Sequence, residues 1–98
     1  MTPKEMMDQA ILESHKEPVI LYFSAPWCGP CKVYKPVIMR ICGLADRTIY
    51  SFNVDESKDI AALLGVRGVP TAIRMEAGKE TNRLVGAQPE KPTGDLVA

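Results

Sequence analysis

The run Val19-Ile20-Leu21-Tyr22-Phe23 constrains this chain more than any other stretch. It is β-branched, aliphatic or aromatic throughout and lacks polar alternation, the pattern of a strand covered on both faces. Such a strand needs helices on each side of its sheet, which makes the chain α/β. Upstream, Thr2-Pro3-Lys4-Glu5 has capping-box spacing with proline at the first helical position, and Met7, Ala10, Ile11 and Ser14 recur at helical intervals. A helix is expected over residues 3 to 16, closed by Pro18. Downstream, Ser24-Ala25-Pro26-Trp27 turns the chain. From Cys28, Val33, Val37, Ile38 and Ile41 then mark a second helix, kinked at Pro36 and stopped by Gly43.

Thr48 to Val54 alternates, with Tyr50, Phe52 and Val54 on one face, and reads as a second strand that completes a βαβ unit. Ser57 is placed to cap a short helix over Lys58 to Leu64, ended by Gly65. The loop Val66-Arg67-Gly68-Val69-Pro70 leads into a strand at Thr71 to Met75, joined by Ala77-Gly78-Lys79 to an antiparallel partner over Glu80 to Val85. Gly86 opens a tail whose Pro89, Pro92 and Gly94 predict no long helix. The sum is a mixed sheet of about four strands flanked by helices, in a single domain over residues 1–98.

Composition narrows the function classes. Twelve Lys plus Arg balance twelve Asp plus Glu, so neither nucleic acid nor an anionic membrane surface has an electrostatic claim on the chain. No apolar run approaches the roughly 18 residues of a membrane span. The first residues carry acid early and lead into no apolar signal region, and cytoplasmic residence is expected. Three cysteines are too few for a secreted disulfide scaffold, and two of them stand as Cys28-Gly29-Pro30-Cys31.

Cysteines three apart at a helix start share one face and can close a disulfide across a turn. Cys28 sits where unpaired N–H groups and the positive end of the helix dipole favour a thiolate, which marks it as the nucleophile. Cys31, a turn further in and less exposed, is placed to resolve a mixed disulfide formed at Cys28. A zinc site built from Cys28, Cys31, Cys42 and His15 is the competing reading. Against it, Cys42 lies roughly 16 Å along the same helix from Cys31 and His15 belongs to another element. No metal or bound cofactor is expected.

The string Trp27-Cys28-Gly29-Pro30-Cys31-Lys32 after an apolar strand resembles the active-site motif of the thioredoxin family. The resemblance extends through Pro36, Asn53-Val54-Asp55, Gly65 to Thr71, Gly78 and Val85-Gly86-Ala87, covering about residues 18 to 87. Glutaredoxins usually carry a Tyr inside the CxxC and a Gly-Gly-acidic glutathione site, and neither is present. The resemblance implies a thioredoxin fold without its N-terminal strand and most of its C-terminal helix. It implies Cys28 as attacking and Cys31 as resolving thiol, with Trp27, Gly29 and Pro30 as the surface that meets substrate. Pro70 is then cis, Val69 offers its backbone to an extended substrate strand, and Gly86 keeps that groove open. Lys32 and Lys35 follow the dithiol and either help hold negative charge there or lie on a solvated face.

The sequence departs from the family at two linked positions. Tyr22 stands where thioredoxins usually bury an Asp, and Ser51 where its Lys partner falls. Loss of both halves together avoids a stranded buried charge. The two are expected to face one another and share a hydrogen bond, leaving no carboxylate to act as base for Cys31 and tending to make the dithiol more oxidising. Arg74 in mid-strand is expected on a face left open by the shortened helix, or docked to a partner. The reading is a thiol–disulfide oxidoreductase acting on disulfide-containing proteins as a monomer. A thioredoxin-reductase-like enzyme or a small thiol would re-reduce it. The alternative is a thioredoxin-fold interaction module whose redox activity is incidental.

Overall fold

The computed structural model describes residues 1–98. Its elements in chain order are α1 (Pro3–Ser14), β1 (Val19–Ser24), α2 (Gly29–Leu44), β2 (Ile49–Asn53), α3 (Lys58–Leu63), β3 (Thr71–Glu76), β4 (Lys79–Val85) and α4 (Glu90–Val97). The sheet has the order β2-β1-β3-β4. β1 runs parallel to β2 and antiparallel to β3, which pairs antiparallel with β4.

β1 explains the layering. Val19, Leu21 and Phe23 point to one face, where Met7 and Ala10 of α1, Ile60 and Ala61 of α3, and Tyr50 and Phe52 of β2 close over them. Ile20 and Tyr22 point to the other, into a core made with Tyr34, Ile38 and Cys42 of α2 and Leu96 and Val97 of α4. All five residues are fully buried, and at roughly 1.5–3 kcal/mol for each large apolar side chain they are a major source of stability. The two-sided strand expected from the apolar run is thus in place, with its C-terminal end opening directly into the turn before α2.

The local signals account for most element ends. Thr2 and Glu5 form a reciprocal capping box, Glu5 N–H donating to Thr2 Oγ1 at 3.1 Å and Thr2 N–H to Glu5 Oε1 at 2.8 Å. The β3–β4 turn places both Ala77 and Gly78 at positive φ, 52° and 77°, the geometry of a two-residue hairpin loop. Gly43, in contrast, does not end α2. The helix runs on to Leu44 and the chain leaves it through Asp46 at φ 54°, with Arg47 N–H donating to Cys42 C=O at 2.8 Å. Asp is one of the few non-glycine residues that visit this region readily, so it takes over the role expected of glycine. Ser57 precedes α3 as expected but makes no side-chain capping bond.

The tail does more than its prolines and glycine suggest. α4 is short, as expected, at eight residues, yet Thr93, Leu96 and Val97 are buried. Pro89 stands before the helix, and Pro92 falls in its first turn, where an amide N–H has no intrahelical partner to lose. Arg74 therefore does not lie on an open face: its Nη1 donates to Leu96 C=O at 2.8 Å and also to Ala98 C=O. Arg47 joins it from the loop after α2, with Nε on Val97 C=O at 2.8 Å and Nη1 on Pro18 C=O at 3.1 Å. Two guanidinium groups thus collect the carbonyls that a helix C-terminus leaves without partners, and their charge opposes the negative end of the helix dipole. Tyr34 adds a hydroxyl bond to Thr93 at 2.6 Å, and Arg40 an ion pair to Glu90.

Removing the donor under these carbonyls is expected to be costly. Arg74→Ala should lower unfolding free energy by about 1–3 kcal/mol in urea titrations, with α4 the first region to lose amide protection. An unchanged urea midpoint would show that α4 is held by its apolar contacts alone.

Candidate active site

The site forms where β1 ends and α2 begins. Cys28 is the N-cap of α2, in extended conformation, and its Sγ accepts the Cys31 N–H at 3.2 Å. Pro30, within the first turn, has no N–H to leave unsatisfied. Cys28 and Cys31 are joined as a disulfide, their Cα atoms 5.3 Å apart, within the usual range for such a bridge. Opposite the bridge the Val69–Pro70 peptide is cis, and the Cys28 sulfur lies 3.7 Å from Val69 C=O. Thr71 pins this turn by donating its hydroxyl to Gly68 C=O at 2.6 Å.

The two cysteines do not differ in exposure as expected. Cys28 is 4% and Cys31 3% accessible, so in the oxidised site solvent access does not separate attacker from resolver. The two sulfurs differ in hydrogen bonding instead: the helix-end amide points at the Cys28 sulfur, and the Cys31 sulfur receives no such bond.

Trp27 stands 68% exposed beside the bridge. Its indole Nε1 donates to Asp55, at 3.1 Å to one carboxylate oxygen and 3.3 Å to the other, which fixes the ring across the end of β2. Trp27, Val54, Val66, Arg67, Gly68 and Val69 line a shallow depression of about 170 Å³. Asp55 and Arg67 belong to this surface and were given no role in the sequence reading; the match at Asn53-Val54-Asp55 was the signal for the first. Gly29 projects toward open space. Gly86 has φ 82°, and its N–H donates to Pro70 C=O at 2.7 Å. A side chain there would meet nothing closer than Gln88 at 4.0 Å, so conformation, not crowding, is what calls for glycine.

Behind the bridge the environment is neutral. Tyr22 and Ser51 are register partners on parallel strands, hence on the same sheet face. The expected bond between them is not formed. The Tyr22 hydroxyl instead reaches Cys31 C=O at 3.5 Å, the limit of a hydrogen bond, because the long phenol extends under α2 past its neighbour on the edge strand. Its ring packs at 6.2 Å from that of Tyr34, tilted by 52°. Burial, with a smaller contribution from Tyr34, pushes the Tyr22 phenol up to about 12. Ser51 lines a groove with Lys32 and Lys35 on the side away from Trp27, and both lysines are exposed. Cys42 lies apart in the α2–α4 core, its thiol raised to about 11 by burial. Nowhere do three or more His, Cys, Asp or Glu side chains gather as metal ligands.

A helix-capping dithiol that closes to a disulfide under an exposed Trp and against a cis-proline turn defines a thiol–disulfide oxidoreductase of the protein-disulfide reductase class. The thioredoxin family model matches residues 1–97, and the chain belongs to the thioredoxin family. It is 43% identical over 75 residues to a thioredoxin of Aspergillus fumigatus, covering 74% of this chain and 68% of that protein. It is 40% identical over 79 residues to thioredoxin-2 of Saccharomyces cerevisiae, covering 80% and 76%. A mutant thioredoxin from Halobacterium salinarum superposes with a TM-score of 0.84 at 32% identity, over 99% of this chain and 83% of that one. Chloroplastic M-type thioredoxins are among the relatives too, the match spanning 58% of the algal one.

The raised Tyr22 value has a consequence in alkali. The folded protein keeps the phenol neutral up to about 12, whereas the unfolded chain releases its proton near 10. The stability tied to this group is therefore complete below about pH 10 and is lost as pH rises from there toward 12. Tyr22→Phe, which cannot titrate, should lose stability less steeply over that window in urea titrations. Equal slopes for both proteins would contradict the assignment.

Proposed function

We propose that Cys28 attacks and Cys31 resolves in the reduction of protein disulfides, in a chain acting as a single-domain monomer. The observation that carries this reading is the Cys31 amide aimed at the Cys28 sulfur from 3.2 Å. In the reduced protein that N–H and the helix dipole of α2 favour a thiolate at Cys28.

The Cys28 thiolate attacks one sulfur of a substrate disulfide. A Cys28–substrate bond forms, the substrate S–S bond breaks, and one substrate thiolate leaves. Cys31 then loses its proton and attacks the Cys28 sulfur, releasing the second substrate thiolate and closing the Cys28–Cys31 disulfide. Two electrons pass to the substrate, whose two thiolates end protonated, one proton balanced by the one Cys31 gives up and the other drawn from solvent. The phenol of Tyr22, neutral up to about 12, is no base at neutral pH, so the Cys31 proton goes to water or to the departing thiolate. A dithiol reductant, from a reductase or a small thiol, returns the protein to its starting state.

Trp27, Gly29 and Pro30 on one side and Val69, Pro70 and Gly86 on the other form the surface we assign to substrate. An extended segment there pairs with the Val69 backbone, so recognition rests on shape and main chain more than on sequence. Lys32, on the first turn after Cys31, adds positive charge near the reacting sulfurs, and Tyr22 with Ser51 keeps the inner side uncharged. No helix is long and apolar enough to cross a membrane; cytoplasmic residence, with its reducing thiol pool, suits a reductase.

Purified protein should catalyse dithiothreitol-driven reduction of insulin, and Cys28→Ser should abolish turnover. Cys31→Ser should instead accumulate a mixed disulfide at Cys28, detectable by mass. Absence of turnover from the folded wild-type protein would overturn the reading and leave a binding module.

A further inference from the structure

The two edges of the sheet are finished differently. β4 carries Lys79, Glu80 and Arg83, and its ladder with β3 shifts register between Arg74 and Met75. Charge and bulges are both devices that keep an edge from pairing with foreign strands. β2 has neither. Thr48 to Asn53 contains no charged residue and no proline, and its pairing with β1 runs unbroken from Ile20 opposite Ile49 to Ser24 opposite Asn53.

That ladder determines which backbone groups are left over. Ile20 N–H donates to Thr48 C=O, and Val54 N–H to Ser24 C=O, each at 2.9 Å. Even-numbered residues of β2 therefore turn their peptide groups toward β1 and odd-numbered ones turn theirs outward. The N–H and C=O of Ile49 and Ser51, and the N–H of Asn53, have no protein partner. Asn53 C=O alone is taken, by Glu56 N–H at 3.0 Å.

A groove of about 430 Å³ opens beside the C-terminal half of this edge, at Ser51, Phe52 and Asn53. Pro3 and Met6 line it from the α1 side and Lys32 and Lys35 from the α2 side, where it reaches Cys31; Glu56, after β2, is its one acidic residue, so the lysines leave the lining with a net positive charge. Neither lysine is engaged in an ion pair. Because strand side chains alternate, a strand laid here would send every second residue toward the apolar wall and the others toward the lysines.

We propose that the outer edge of β2 docks an extended segment of a partner polypeptide in which acidic and apolar residues alternate, adding it to the sheet as a further strand. The free peptide groups supply main-chain bonds, and the two unlike walls supply the choice of side chains. A second copy of this chain fits less well, since β2 brings no acid of its own to Lys32 and Lys35. The site goes beyond the reductase reading and needs no dithiol.

The test uses the oxidised protein, whose bridge is closed, so its outcome is independent of reductase activity. The probe is an end-blocked, fluorescein-labelled peptide of alternating Val and Glu, about eight residues long, followed by anisotropy. Saturable binding is expected, at least about tenfold tighter than for the Val–Lys counterpart and about tenfold weaker for Lys35→Glu. Ser51→Pro should also weaken it about tenfold, since it removes an outward N–H while leaving the β1 ladder intact. N-methylation of alternate peptide residues should abolish binding without altering the protein, and bound peptide should slow exchange of the Ile49 and Ser51 amides. Equal affinity for both peptides, or binding that survives N-methylation, would overturn the proposal. So would self-association of the free protein that Ser51→Pro abolishes, which would assign the edge to a second copy.

Discussion

The structure turns on the first turn of α2. A helix start carries N–H groups with no intrahelical partner, and here one of them, from Cys31, is satisfied by the sulfur of Cys28. That single contact makes one of the two cysteines of the dithiol the capping residue of the helix. It requires the helix to begin at one point in space, and the rest of the fold supplies that point. β1 is buried on both faces and cannot shift without exposing its side chains, so the turn that follows it is anchored. α2 is held from beneath by Tyr22, Ile20 and α4, and the cis turn at Pro70 arrives opposite the bridge because β3 pairs along β1.

The inner side of the site is built from neutral hydrogen bonds. Tyr22 lies under the helix with its hydroxyl near Cys31 C=O, Tyr34 bonds to Thr93, and Thr93 in turn donates to Pro89 C=O at 3.0 Å. No buried side-chain nitrogen or oxygen is left without a partner. Replacing a buried ion pair by such a set avoids the desolvation cost of two charges. It also leaves no carboxylate beside Cys31, so the helix end is the group on this side that favours a thiolate in the proposed mechanism.

Much of this was legible in the sequence because the signals were local or strongly periodic. The apolar run at Val19 to Phe23, the capping box at Thr2 and the alternation at Tyr50 and Phe52 each specify their own element. The dithiol was legible from spacing, whereas the cis bond at Pro70 followed only from family resemblance. What the sequence hid depends on partners distant in the chain. Arg74 reads from the sequence as a residue on an open face, and only the fold shows the short α4 closing over it and presenting its last carbonyls to the guanidinium. The Tyr22–Ser51 bond failed for a related reason: register brings two residues side by side, but side-chain length decides what a hydroxyl reaches. Asp55 was invisible as a support for Trp27 because the two lie on different elements.

The most direct test of this account is the pH titration of the Cys28 thiol in the fully reduced protein, followed by thiolate absorbance or alkylation rate, with Cys31→Ser to separate the two sulfurs. If the helix end stabilises the charged form without help from a carboxylate, Cys28 titrates well below the free value of about 8.5 and Cys31 above Cys28. A Cys28 value at or above that of a free thiol would contradict the claim that the first turn of α2 activates it.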